Sequence, residues 1–145
     1  MQQRTRTTIA KTLAILGTVL VGIPLAAPIV FGIAFLIARG GLHLDVLMPG
    51  ELFVLVFIGG ALLLASSLLA RRQRWTTGVL LAAAVLFLAV MAWAAQATGL
   101  ASGRTAAEGW PLALVTGVYA LYVAATIGLF VVGVLLCRAL FARSA

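Results

Sequence analysis

Four long apolar runs leave this chain very few ways to fold. The first lies between Lys11 and Arg39 and the second between Glu51 and Arg71. The third lies between Arg74 and Gln96, and the fourth runs from about Trp110 to Cys137. Each is long enough to cross a hydrocarbon core of about 30 Å as an α-helix rising about 1.5 Å per residue. Inside lipid every backbone N–H and C=O needs a partner, and a helix supplies them within one segment. A membrane β-barrel instead alternates polar and apolar residues over strands of about ten positions, and these runs are continuous. Water is the wrong solvent, because 64% of the residues are hydrophobic and 9% are charged, against about 25% charged in an ordinary soluble domain. A chain of 145 residues has too little interior to hide so much apolar surface. The expectation is an all-α integral membrane four-helix bundle, one domain over residues 1–145, with helices near 12–38, 52–70, 76–97 and 110–137.

Charge then orients the bundle. Arg4, Arg6 and Lys11 precede the first run, Arg71, Arg72 and Arg74 separate the second from the third, and Arg138 and Arg143 follow the fourth. The opposite side holds Arg39 and Arg104 together with all three acids, Asp45, Glu51 and Glu108. Basic residues concentrate on the cytoplasmic side of membrane proteins, so both termini are expected there. This placement accounts for the net charge of +7 without a nucleic-acid partner, whose phosphates would need a basic face on a folded domain. The first run is read as a retained helix, because "IPLAAPIVFGIAFLIA" stays apolar beyond any signal-peptide cleavage point. Arginine outnumbers lysine nine to one and asparagine is absent, a composition that points to a GC-rich bacterial genome and hence to the inner (cytoplasmic) membrane.

Within the runs, small residues mark where helices can meet closely. Thr18, Gly22 and Ala26 recur every four residues in the first run, and Gly59-Gly60 lies near the middle of the second. The fourth places Ala113 and Gly117 four apart, followed by Ala120, Ala124 and Gly128. Gly22, Ala26, Gly60, Gly117, Ala124 and Gly128 are therefore the packing candidates, with the fourth helix expected to carry the main contact. Pro24 and Pro28 predict a bend in the first helix, since each removes a backbone hydrogen bond. The second run has 19 residues, 52–70, or about 28 Å, which puts Glu51 at one rim of the membrane and Arg71 at the other.

The one polar island is "RGGLHLDVLMPGE", residues 39–51, with Arg39, the only histidine His43, Asp45 and Glu51. Arg39 in a last helical turn and Glu51 at the start of the next helix suit the helix macrodipole, as does Glu108 before the fourth helix. His43 and Asp45 stand two apart without a third ligand, so the island is expected to be a connector. Together with Arg104 and Glu108, its charged residues form the outer-face candidates. Both outer loops open with Gly-Leu (Gly41-Leu42, Gly99-Leu100) and end on a glutamate beside a glycine, too short a likeness to establish a repeat.

Chemistry is absent elsewhere. No Asp, Glu, Lys, Arg or His falls inside a helix core, although ion-coupled carriers and proton relays use such residues. One histidine and one cysteine, Cys137, supply neither a clustered metal site nor a disulfide. No H-E-x-x-H, G-x-S-x-G or P-loop occurs. No enzyme, no cofactor and no metal is expected.

An arginine ending the first helix (Arg39), a glutamate opening the second (Glu51) and an apolar run closing on "ARRQRW" give a layout that resembles the small membrane subunit of TRAP transporters. Pro49-Gly50 stands where that family usually has a tryptophan. The resemblance covers most of the chain as a layout and carries no specific motif. It implies an accessory subunit of a membrane transporter. The residue reading leads to the same class: a non-enzymatic accessory or stabilising subunit, partnered by the bilayer and by another membrane protein or itself. The alternative is a homo-oligomeric channel or small permease lined by Ser66, Ser67, Thr116, Tyr119, Tyr122 and Thr126.

Overall fold

A computed structural model describes residues 2–39, 52–104 and 108–142. Its elements are four α-helices: α1 (Gln2–Arg39), α2 (Phe53–Ala70), α3 (Arg74–Ala97) and α4 (Gly109–Phe141). Each is long and apolar enough to cross a membrane, the pattern of a multi-pass membrane protein. The main difference from the sequence expectation is at the ends. α1 starts at Gln2 and continues through Pro24 and Pro28, and α4 runs on to Phe141. Reading helices from apolar runs trims them at the first charge, whereas a helix continues into water as long as its backbone bonds close.

The chain runs up and down. Each helix packs on the next, α1 closes the ring against α4, and α2 touches α4 across the middle. At the centre lie Val21 of α1, Val56 and Leu63 of α2, Ala84 of α3, and Ala125 and Leu129 of α4, flanked by Leu80, Leu81, Phe87, Tyr122 and Phe130. A second cluster, Ala10 and Ala14 with Leu136, Leu140, Ala70 and Cys137, fills one end of the bundle. The opposite surface is apolar as well, with Leu16, Val19, Val79, Leu86, Leu121, Ile127 and Val131 all exposed. In water this area would be unfavourable at about 25 cal/mol per Å²; against lipid it carries no such penalty.

Tryptophan marks both ends. Trp75, Trp93 and Trp110 are 78%, 70% and 71% exposed. Trp75 and Trp93 stand 18 residues apart on α3, about 27 Å along the helix. That is close to the hydrocarbon thickness, and indole rings favour the two interfaces.

The turn from α2 to α3 is tight. Arg71 adopts a left-handed conformation (φ 51°), its N–H bonds to the Leu68 carbonyl at 3.2 Å and the Arg72 N–H to that of Ser67 at 3.1 Å. This pair of bonds is the Schellman closure, which satisfies carbonyls that a helix end leaves open. Gln73 is also left-handed (φ 53°), and its carbonyl accepts both the N–H and the hydroxyl of Thr77.

Candidate helix-packing site

At Gly17 of α1 and Gly59 of α2 the backbones of two helices come within contact distance of each other. A β-carbon on Gly17 would lie 2.8 Å from the Gly59 carbonyl oxygen, and one on Gly59 would lie 2.9 Å from that of Gly17. Backbone faces backbone here, so no rotamer change relieves a larger residue. α4 joins the same seam through Gly133, where a β-carbon would fall 2.5 Å from Thr18 Oγ1 and 3.2 Å from Leu63. Small residues at these points let three helices come together and gain dispersion contacts, the main attraction between helices in lipid.

Hydroxyls line the same seam, all satisfied. Ser66, fully buried on α2, donates to the Ala10 carbonyl of α1 at 2.8 Å, a direct tie between helices. Thr18 donates to the Ala14 carbonyl at 2.7 Å and lies 3.7 Å from Cys137 Sγ. Ser67 bonds to the Leu64 carbonyl and Thr126 to that of Tyr122. Among the described residues no buried side-chain nitrogen or oxygen lacks a partner. A hydroxyl bonded to a carbonyl is hidden from lipid at little cost, which is why Ser and Thr serve inside such bundles.

The residues singled out from sequence separate into two sets. Gly60 is buried, with a β-carbon there meeting Leu81 at 2.5 Å; Gly22 faces Phe130 at 2.9 Å and Gly128 faces Leu80 at 3.0 Å. These three sit at contacts inside the chain. Ala26, Gly117 and Ala124 do not: all three are exposed, and nothing lies within 4 Å of a β-carbon built on Gly117. Of the α4 residues expected to carry the main contact, Gly128 meets Leu80 of α3 while Gly117 and Ala124 are exposed; the tight seam runs through Gly17, Gly59 and Gly133. The signal for it was present as Ala10, Ala14 and Thr18, four apart. Starting the helix near residue 12 hid its first member. A four-residue stripe also drifts about 40° per step around a 3.6-residue helix. Ala10, Ala14 and Thr18 are buried, Gly22 is half-buried and Ala26 has turned outward.

The six residues considered as a channel lining differ in exposure. Ser66, Ser67 and Thr126 are buried, Tyr119 and Tyr122 are half-buried with rings 6.2 Å apart, and Thr116 is exposed. A shallow apolar groove between α2, α3 and α4 is lined by Val56, Phe57, Leu81, Ala84, Val85 and Tyr122.

At the end away from the Arg71 turn, Arg39 closes α1 and Arg104 is exposed after a glycine-rich turn. In that turn Gly99 (φ 76°) donates to the Gln96 carbonyl. Glu108 occupies the position before α4, exposed and with no side-chain capping bond. His43, Asp45 and Glu51 lie outside the described residues. Among the described residues no group of three or more His, Cys, Asp or Glu is placed to hold a metal.

No known protein family, curated protein or solved structure matches this chain. Its reading rests on its own residues.

Proposed function

We propose that the chain is a multi-pass protein of the bacterial cytoplasmic membrane with both termini in the cytoplasm. In this reading it acts without catalysis, as an accessory or stabilising subunit that docks on a larger membrane complex through the outer half of α4. The observation that carries this reading is Gly117. A glycine in a helix interior weakens it relative to alanine, and at Gly117 an added β-carbon would meet nothing within 4 Å. Among the described residues nothing accounts for it. Its neighbours on the same helix face, Ala113, Thr116, Ala120 and Ala124, are also small and exposed. Further along, the exposed residues become bulky: Ile127, Val131 and Leu135. A face of small residues beside a hydroxyl is what close helix association in lipid uses. A transporter assembly is one setting for such a subunit, in line with the layout resemblance.

The test is pull-down of the tagged, full-length chain from its own membranes, comparing the natural chain with Gly117→Leu and Ala124→Leu. Each variant is expected to unfold no lower than the natural temperature in detergent, since the added bulk enters open space, but to lose its co-purifying membrane partner. An unchanged partner in both variants would sink the proposal. A second copy of this chain as the partner would redirect it to the homo-oligomeric reading.

A further inference from the structure

Among the described residues, one end of the bundle carries charge of a single sign. There α1 begins, α2 turns into α3 and α4 finishes, and the contacts hold these pieces together: Ser66 bonds to Ala10, Lys11 Nζ lies 4.8 Å above the Phe141 ring, and Ala70, Leu136 and Leu140 share a cluster with Ala10 and Ala14. Arg6, Arg71, Arg72, Arg74 and Arg138 are exposed around it. The chain has only three acids. Glu108 precedes the opposite end of the 33-residue α4, and Asp45 and Glu51 belong to the segment that joins α1 to the start of α2. Among the described residues no aspartate or glutamate lies at this end to offset these cations. The densest part is the turn Arg71-Arg72-Gln73-Arg74, which carries three exposed arginines.

We infer that this turn is a binding surface for anionic phospholipid headgroups. What selects a lipid over a soluble anion or an acidic protein is the surface next to the arginines. Leu68 and Leu69 on α2 and Val79 on α3 are exposed immediately below the turn, and Trp75, also exposed, stands at the border. A ligand that satisfies the whole surface has an anionic phosphate at one end and hydrocarbon at the other. Guanidinium pairs with phosphate oxygens through two parallel N–H bonds, while the acyl chain lies along the apolar flank. Basic residues beside a membrane draw anionic lipid in this way. The inference needs no protein partner and stands apart from the α4 docking face.

The experiment uses the full-length chain purified in neutral detergent and stripped of lipid, titrated with phosphatidylglycerol or phosphatidylcholine, with retained lipid counted by native mass spectrometry. Phosphatidylglycerol is expected to be retained in preference. Each basic residue near an anionic surface contributes roughly fivefold, so combined Arg71→Gln, Arg72→Gln and Arg74→Gln should lower the preference by on the order of a hundredfold. Arg104→Gln, at the other end, should leave it unchanged. Should the triple variant fail to insert, the natural chain supplies the same test. Raising salt from about 0.1 M to about 1 M shortens the screening length from about 10 Å to about 3 Å and should erase the preference. Equal retention of the two lipids, a preference that survives the triple variant or high salt, or displacement of lipid by inorganic phosphate at equal concentration would each overturn the inference, the last in favour of a free-anion site.

Discussion

Gly59 and Gly117 are both glycines inside apolar helices, and the bundle treats them in opposite ways. At Gly59 a single added carbon would meet Val21 at 2.8 Å and the Gly17 carbonyl oxygen at 2.9 Å; at Gly117 it would meet nothing. Glycine content alone does not mark a packing surface. A small residue matters where another backbone is within reach, and that depends on which helices are neighbours. The seam of α1, α2 and α4 is closed and its hydroxyls are satisfied internally. The outer half of α4 is equally small but open.

The sharpest way to break this comparison is to place one bulky side chain at both positions. Gly59→Leu should destabilise the chain by about 1–3 kcal/mol, the usual effect of forcing volume into a packed interior. Gly117→Leu should cause no loss of stability, with at most a small gain from helix propensity, as measured by reversible unfolding in mixed micelles. Equal losses would show that the open face is closed in solution.

A smaller effect is expected from Ser66→Ala. It removes the hydroxyl that ties α2 to the Ala10 carbonyl while adding no volume. Hydrogen bonds between membrane helices contribute about 0.6 kcal/mol on average and up to about 2 kcal/mol, so a loss in that range is expected by the same assay. Thr116→Val, on the exposed face, should leave the unfolding of the isolated chain as it is. A larger loss from Thr116→Val than from Ser66→Ala would reverse the assignment of the inner and outer seams.

The mildest change is the most diagnostic of a missing partner. Gly117→Ala should stabilise the isolated chain by up to about 1 kcal/mol through helix propensity. In native membranes the same methyl group sits where a neighbouring helix is proposed to approach, so recovery of the complex should fall even as the chain itself becomes more stable. Parallel measurement of thermal stability and of complex yield reads both signs. A gain in both would mean that no backbone comes close to Gly117.

By itself the sequence determined that this protein is helical, how many helices it has and that each is long and apolar enough to cross a membrane. Those properties are local: a run of about twenty apolar residues and the need to pair every backbone group in lipid settle them without reference to any other part of the chain. The charges at the helix ends were legible in the same way. Tertiary structure alone decided which small residues are contacts. Gly17, Gly59 and Gly133 are drawn together from three helices across wide sequence separations, while Ala26 and Gly117 look equivalent in sequence and face outward. Residue spacing fixes a position around one helix axis. It does not say where the neighbouring axes lie, because in lipid the selection among them comes from short-range packing that exists only after the helices have met.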